Sequence, residues 1–88
     1  MDERQLRSEI VGLLRRIAPE VEPDTLDAKS PLREQVDLDS IDFLNFLISL
    51  HENFAVEIPE SDYEKLRSLE DITAYVAARA PAARRSVE

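Results

Sequence analysis

The side chain best placed for chemistry is the hydroxyl group of Ser40, which stands among carboxylates in residues 37–42 (DLDSID). This segment lies where a proline-rich loop gives way to an apolar run with helical spacing. Asp39 and Asp42 have the spacing of a helix N-cap and its capping-box partner, which predicts that Ser40 lies in the first helical turn with its side chain directed outward. A phosphate ester on this oxygen would face free backbone N–H groups and the positive end of the helix dipole.

Other kinds of site fit these residues poorly. A hydrolase built on Ser40 and His51 fails on distance, since eleven residues along one helix separate them by about 16 Å, far beyond hydrogen-bond reach. A calcium loop that begins at Asp37 fails because Asp42 stands where glycine is required and Ile48 stands where a bidentate glutamate is required. The chain has no cysteine and a single histidine, so we predict neither a catalytic group nor a metal site.

Length and composition indicate a small intracellular domain. The 88 residues suffice for one domain with one modest core. Without cysteine there is no disulfide framework. No apolar run has the length of a signal peptide or of a membrane span. We therefore expect a cytoplasmic, free-standing chain that is complete in itself and has no membrane span.

The charge of the chain is negative and unevenly distributed. Eleven Lys and Arg residues stand against nineteen Asp and Glu residues, a net charge of −8. Nine of the acids fall within residues 34–64, which contain no Lys or Arg, whereas residues 1–18 contain four arginines and three acids. Such a field repels nucleic acid and attracts basic protein surfaces. An acidic surface kept only for solubility is the alternative explanation.

Hydrophobic periodicity predicts an all-α domain of four helices. The first spans about 3–18, where Pro19 stops it, and the second spans about 40–54. Capping boxes at 61–64 and 68–71 mark the start of the other two, of which the first must be short.

The long segment between the first two helices, residues 19–39, contains three prolines and cannot form a regular helix. A structureless loop of that length is unusual inside a small domain unless it packs down onto the core. We expect it to do so, with a short helical turn at 30–34 that starts from a Ser30 cap and has Pro31 in first position. Its apolar anchors are Leu26, Leu32, Val36 and Leu38.

The second predicted helix is apolar on two faces, which a bundle of this size cannot bury completely. One stripe, which should face the core, consists of Phe46, Leu47, Leu50 and Phe54. The other consists of Ile41, Leu44 and Ile48. We expect part of this second stripe to meet a tethered cargo or a partner protein. The alternative is that Ile41 and Ile48 lie under the long loop.

From Leu6 to about Ala80, the order and spacing of these features resemble the acyl carrier proteins, whose Asp-Ser-Leu/Ile motif carries 4'-phosphopantetheine on the serine. The matching features are a first helix, a long loop, the segment 39–42 (DSID), an apolar helix, a short third helix and an amphipathic fourth. The resemblance implies a small four-helix bundle of acyl-carrier type with a long first loop and a short third helix. It places the carrier domain at residues 1–80 and leaves 81–88 as a tail that we expect to be disordered.

The resemblance also implies a function and a set of partners. A phosphopantetheinyl transferase would attach the arm of coenzyme A to Ser40, and the chain would be a carrier and not an enzyme. It would hold acyl intermediates as thioesters for the acyl-loading and acyl-transfer enzymes of fatty acid, polyketide or related specialised lipid biosynthesis. The acyl chain would enter between the second and third helices or lie along the second stripe. We expect the carrier to be a monomer.

By the same resemblance, the surface that meets basic docking surfaces of partner enzymes should surround Ser40 on the second helix. Its predicted members are Asp39, Ile41, Asp42, Phe43, Leu44, Ile48 and Glu52. Three departures from fatty-acid carriers make this surface less acidic or more apolar: Asn45 and His51 replace common acids, and Phe43 replaces a small residue. Asp37 also stands where those carriers usually have glycine.

Phe43 lies one turn from Ser40 and outside the core stripe, so we expect it to project near the attachment site as an exposed aromatic contact. The alternative is that it folds back under the long loop beside Leu38.

Two other functions compete with an acyl carrier. One is an acidic helical interaction module in which Ser40 is never modified. The other is an aminoacyl or peptidyl carrier, which is disfavoured because such carriers tend to have glycine and small residues before the serine, whereas this chain has residues 36–39 (VDLD) there.

Overall fold

Four α-helices and two 3₁₀ segments make up the part of the chain that the computed structural model describes, residues 2–79. The α-helices are α1 (Glu3–Ile17), α2 (Leu32–Gln35), α3 (Ser40–Phe54) and α4 (Leu69–Arg79). The 3₁₀ segments are Pro23–Thr25 and Glu60–Lys65. Residues 2–79 contain no β-strand, only one isolated bridge between Pro31 and Ser68, so the all-α prediction is confirmed. The tail predicted at 81–88 lies outside the described residues.

Helix α1 begins and ends for local reasons. The Asp2 carboxylate accepts a hydrogen bond from the Gln5 N–H at 2.8 Å and caps the first turn. The helix ends at Ile17, one residue before the predicted end, because Ala18 already has non-helical backbone angles ahead of Pro19. Its buried face is formed by Leu6, Ile10, Val11, Leu13 and Leu14.

The hydrophobic core lies where α1 packs against α3 and α4. Phe46 and Leu50 of α3 are fully buried, as are Ile10 of α1 and Ile72 of α4. The predicted core stripe of α3, Phe46, Leu47, Leu50 and Phe54, is buried along its whole length. The stripe shares one core with Leu6, Ile10, Leu13 and Ile72.

The long loop packs down onto this core, as predicted. Leu32, Val36 and Leu38 are buried, and Leu26 is half-buried. Two backbone hydrogen bonds of 2.8 Å join the loop to the start of α4: the Leu32 N–H donates to the Arg67 carbonyl, and the Glu70 N–H donates to the Ala28 carbonyl. The segment that leads into α3 is therefore fixed to the start of α4.

The predicted Ser30 cap in this loop is wrong. Helix α2 begins at Leu32, its N-cap residue is Pro31, and no side chain caps it. The Ser30 hydroxyl instead donates to the Asp27 carboxylate at 2.8 Å. The Ser30 hydroxyl group thus forms a hydrogen bond within a local turn and does not cap the helix as the capping pattern had predicted.

The third helix is short, as predicted, but it is a 3₁₀ helix and lacks its predicted capping box at 61–64. It spans Glu60–Lys65 directly after Pro59 and has no side-chain cap. Its first turn is closed by the backbone, since the Asp62 N–H donates to the Pro59 carbonyl at 2.9 Å. An i to i+3 bond of this kind satisfies the donor that a serine cap would otherwise serve.

The capping box of the fourth helix is confirmed. The Asp71 N–H donates to the Ser68 hydroxyl at 3.0 Å, and the Ser68 N–H donates to the Asp71 carboxylate at 3.4 Å.

Replacing Phe54, which is 4% exposed at the end of α3, tests this core. Phe54→Ala should lower the free energy of unfolding by about 3 to 5 kcal/mol because it leaves a cavity. The matched control is Ile41→Ala on the same helix, where the side chain is 70% exposed and the expected change is within about 0.5 kcal/mol. Urea unfolding measures both, and equal midpoints for the two variants would contradict the packing described.

Candidate functional site

Ser40 is the first residue of α3, and its side chain is exposed. The helix start is fixed by Asp39, whose carboxylate accepts the Asp42 N–H at 2.8 Å. The predicted N-cap is therefore confirmed. The reciprocal bond from the Asp39 N–H to the Asp42 carboxylate is absent within residues 2–79, so the capping box is only half formed.

An open groove of about 1150 Å³ has Ser40 among its lining residues. Phe43, Leu44 and Leu47 of α3 form one wall, and Tyr63 of the 3₁₀ helix lies in the other. A second groove of about 470 Å³ shares Leu47 and Tyr63 with the first. The two grooves therefore adjoin, in the position predicted for an acyl chain between the second and third helices.

The second apolar stripe of α3 is exposed. Ile41, Leu44 and Ile48 are 70%, 42% and 44% exposed, and they are the large exposed hydrophobic residues of the described part of the chain. The alternative that Ile41 and Ile48 lie under the long loop is therefore wrong. Glu52, one turn beyond Ile48, is exposed as well.

The expectation that Phe43 projects as a free aromatic residue is wrong. Its side chain is half-buried and packs against the core, with its ring centroid 6.5 Å from that of Phe46. Residues three apart on a helix are neighbours on its surface, so the buried Phe46 draws the ring inward. Phe43 shares the groove wall with Leu38 of the long loop and carries the Arg33 guanidinium 5.8 Å from its ring centroid.

His51 fixes the turn that follows α3, a role that the sequence did not reveal. Its Nδ1 lies 2.9 Å from the Val56 carbonyl and 3.3 Å from the Glu57 carboxylate. Because a carbonyl can only accept, Nδ1 carries a proton in this contact. The turn itself passes through Ala55 in the left-handed region, with φ 56°. Within residues 2–79 no group of side chains is arranged to hold a metal ion.

A second unforeseen contact fixes the 3₁₀ helix to α4. The Tyr75 hydroxyl donates to the Asp62 carboxylate at 2.6 Å and lies 3.3 Å from the Glu57 carbonyl. The hydrogen bond from Tyr75 lowers the pKa of Asp62. Burial, and next the bond to Asp62, raises the pKa of Tyr75. This contact holds the far wall of the groove, because Asp62 lies next to Tyr63.

Comparison with known proteins agrees with this geometry. The family model described as "Phosphopantetheine attachment site" matches residues 4–76. The acyl carrier protein of Campylobacter hominis is 38% identical over 56 residues, which cover 64% of this chain and 71% of that protein. The acyl carrier proteins of Campylobacter fetus subsp. fetus and Campylobacter lari are each 39% identical over 56 residues, covering 64% of this chain and 73% of each protein.

The chain belongs to the acyl carrier protein family. It is a phosphopantetheine-bearing acyl carrier and not a catalyst, which confirms the predicted function, fold type and cofactor. Membership implies interaction with a phosphopantetheinyl transferase and with acyl-handling enzymes. The hydroxyl group of Ser40, an exposed residue that lines the groove, is chemically suited to the phosphopantetheine arm. None of the helices within residues 2–79 has the length and apolar character needed to cross a membrane.

The Tyr75–Asp62 contact predicts a specific loss of stability in acid. A carboxyl group whose pKa is lowered on folding contributes stability above its unfolded pKa, about 3.9, and loses it as the pH falls through the folded value. Tyr75→Phe should therefore unfold more easily than the wild type at pH 7, and the difference should shrink below about pH 4. Thermal unfolding across this range measures the effect. Tyr63→Phe is the control, because it removes a hydroxyl group from the 3₁₀ helix that carries Asp62 and leaves the Tyr75–Asp62 bond in place. A pH-independent difference for Tyr75→Phe would contradict this interpretation.

Proposed function

We propose that Ser40 carries the 4'-phosphopantetheine arm. The observation that supports this most is the position of Ser40, an exposed residue on the first turn of α3 that lines a groove. The hydroxyl groups of Ser30 and Ser49 are bonded within the chain, to Asp27 and to the carbonyl one turn earlier on α3. The Ser40 hydroxyl group has no such partner within residues 2–79.

Attachment requires little of the chain beyond presentation of one oxygen. In the transferase active site, Ser40 Oγ would attack the phosphorus of coenzyme A that bears the pantetheine. A new P–O bond would form as the pyrophosphate bond breaks, adenosine 3',5'-bisphosphate would leave, and the hydroxyl proton would pass to the base. The transferase supplies the base and the magnesium ion. The Asp39 cap holds the first turn so that Ser40 faces outward. When attached, the arm supplies a thiol that forms thioesters with acyl groups.

The groove between α3 and the 3₁₀ helix would shelter the cargo. Leu44, Leu47 and Tyr63 offer apolar surface beginning near Ser40, and burial of an acyl chain there would remove it from water. The sharing of Leu47 and Tyr63 with the second groove extends this surface away from the attachment site.

Partner enzymes would dock on the exposed stripe of α3. Ile41 and Ile48 supply the apolar contacts, and Asp39, Asp42 and Glu52 supply the acids that meet basic residues. Phe43 would act mainly as part of the groove wall. We further propose that residues 1–80 form the functional domain, that it acts as a monomer, and that it acts in the cytoplasm alongside coenzyme A and acyl-handling enzymes of fatty acid, polyketide or related lipid biosynthesis.

Ser40→Ala should fold as the wild type does and take up no arm, because the attachment oxygen is gone. The measurement is intact mass after incubation with coenzyme A and a broad-specificity phosphopantetheinyl transferase. Ser49→Ala, which removes a hydroxyl group farther along α3, should still gain one phosphopantetheine. Gain of one phosphopantetheine by Ser40→Ala would refute the assignment.

Docking on the stripe should combine an apolar and an ionic part. Ile48→Ala should weaken binding to the transferase by about tenfold, equivalent to about 1.4 kcal/mol, and by a similar factor at low and high salt. Asp42→Lys should weaken it mainly at low salt, since exposed charges are screened by ions. Titration calorimetry at two salt concentrations measures both. If Ile48→Ala binds the transferase as tightly as the wild type, the proposed apolar contact is wrong.

A further inference from the structure

Arg33 is the last cation before the acidic segment 34–64. The ion pairs within residues 2–79 join Arg7, His51 and Lys65 to carboxylates, and Arg33 takes part in none of them. Among the cations outside these ion pairs, Arg33 and Arg67 line the groove together with Ser40.

The guanidinium group of Arg33 is nevertheless held in place. Its Nε donates to the Leu38 carbonyl at 3.3 Å, and its carbon atom Cζ lies 5.8 Å from the centroid of the Phe43 ring. Leu38 precedes Ser40 by two residues, and Phe43 follows it by three. Because residues three apart lie on the same face of a helix, these two contacts hold the guanidinium on the side of α3 that carries Ser40. Arg33 and Ser40 both line the groove.

The free part of this side chain suits an oxyanion. With Nε bonded to a carbonyl, the two terminal NH₂ groups have no hydrogen-bond partner within residues 2–79. A planar guanidinium binds phosphate through two parallel N–H donors, and a fixed one loses little freedom when it does so.

The local charges make such a contact useful. A phosphodiester on Ser40 would stand among the carboxylates of Asp37, Asp39 and Asp42, all of which repel it. The groove itself is lined by three further acids, Glu34, Glu60 and Glu64, and by two cations, Arg33 and Arg67. Arg33 is the cation that contacts Leu38 and Phe43 on either side of Ser40 in the sequence, so its attraction for the phosphodiester would offset part of the repulsion from the acids.

We propose that Arg33 binds the phosphodiester on Ser40 and directs the arm into the groove between α3 and the 3₁₀ helix. This inference rests on the proposed attachment at Ser40. The same guanidinium could instead bind a carboxylate on the cargo, so the test uses the arm without an acyl group.

The experiment compares the apo protein with the protein that carries the free arm, both ¹⁵N-labelled, by NMR. The Nε–H resonance of Arg33, assigned by its loss in Arg33→Lys, should shift when the arm is attached. The Nε–H resonance of Arg15, exposed on α1, should not. Contacts between the arm and Phe43 or Leu47 should be detected as nuclear Overhauser effects.

The variants test whether the charge of Arg33 causes these contacts. Arg33→Gln should lose the Overhauser contacts and shift the ³¹P resonance, Arg33→Lys should retain part of both, and Arg15→Gln should match the wild type. If the arm is attached to Ser40 but the Arg33 resonance does not move and Arg33→Gln matches Arg15→Gln, the Arg33 inference is wrong while the attachment stands. If a shift appears only after an acid-bearing cargo is loaded, the phosphodiester contact is wrong. If the wild type accepts no arm, both proposals fail.

Discussion

The site depends on where α3 begins. The bond from the Asp42 N–H to the Asp39 carboxylate, at 2.8 Å, places Ser40 as the first helical residue. A helix turns by about 100° per residue, so the buried positions of Phe46 and Leu50 then fix which way every other side chain of α3 points. With that rotation set, Leu44 lines the first groove and Ile48 the second, and both side chains remain partly exposed. One cap and one buried stripe therefore decide the geometry of attachment and of docking together.

The long loop holds the start of α3 in place. Buried Leu32 and Leu38 hold the loop to the core, and the Leu32–Arg67 backbone bond ties it to the residues just before α4. The opposite wall of the groove is held by the contact between Tyr75 and Asp62. The long loop and the 3₁₀ helix, which both contribute lining residues to the groove, are thus anchored to α4 or to the residues just before it. A carrier has no catalytic group to position, and its structure instead holds one oxygen outward and one apolar surface beside it.

The features that follow from local chemistry could be predicted from the sequence. The extent of α3, the Asp39 cap, the Ser68–Asp71 capping box and the buried and exposed stripes of α3 all depend on residue spacing alone. The contacts that were missed depend on the tertiary structure. Tyr75 and Asp62 are thirteen residues apart, and no local pattern indicates that they meet.

The other differences between prediction and structure arise because a nearby group forms a different contact from the one that the sequence pattern predicts. The backbone of Pro59 closes the turn where the sequence offered a serine cap, and Ser30 bonds to Asp27 instead of capping α2. Ala55 adopts a left-handed conformation that usually signals glycine. Phe43 lies outside the core stripe, but its ring is large enough to reach Phe46. Periodicity alone therefore predicted an exposed side chain where the structure has a half-buried one. The attachment residue itself remains a prediction that the fold and the family support.

The central claim, that Ser40 bears the arm, is tested most directly by mapping the modification on the unaltered protein. After incubation with coenzyme A and a phosphopantetheinyl transferase, the chain is digested and the modified peptide is fragmented in the mass spectrometer. The account predicts that the added phosphopantetheine resides on Ser40 and that Ser30 and Ser49 remain unmodified. Localisation of the arm to another residue, or a chain that remains unmodified while a known carrier in the same reaction is converted, would contradict it.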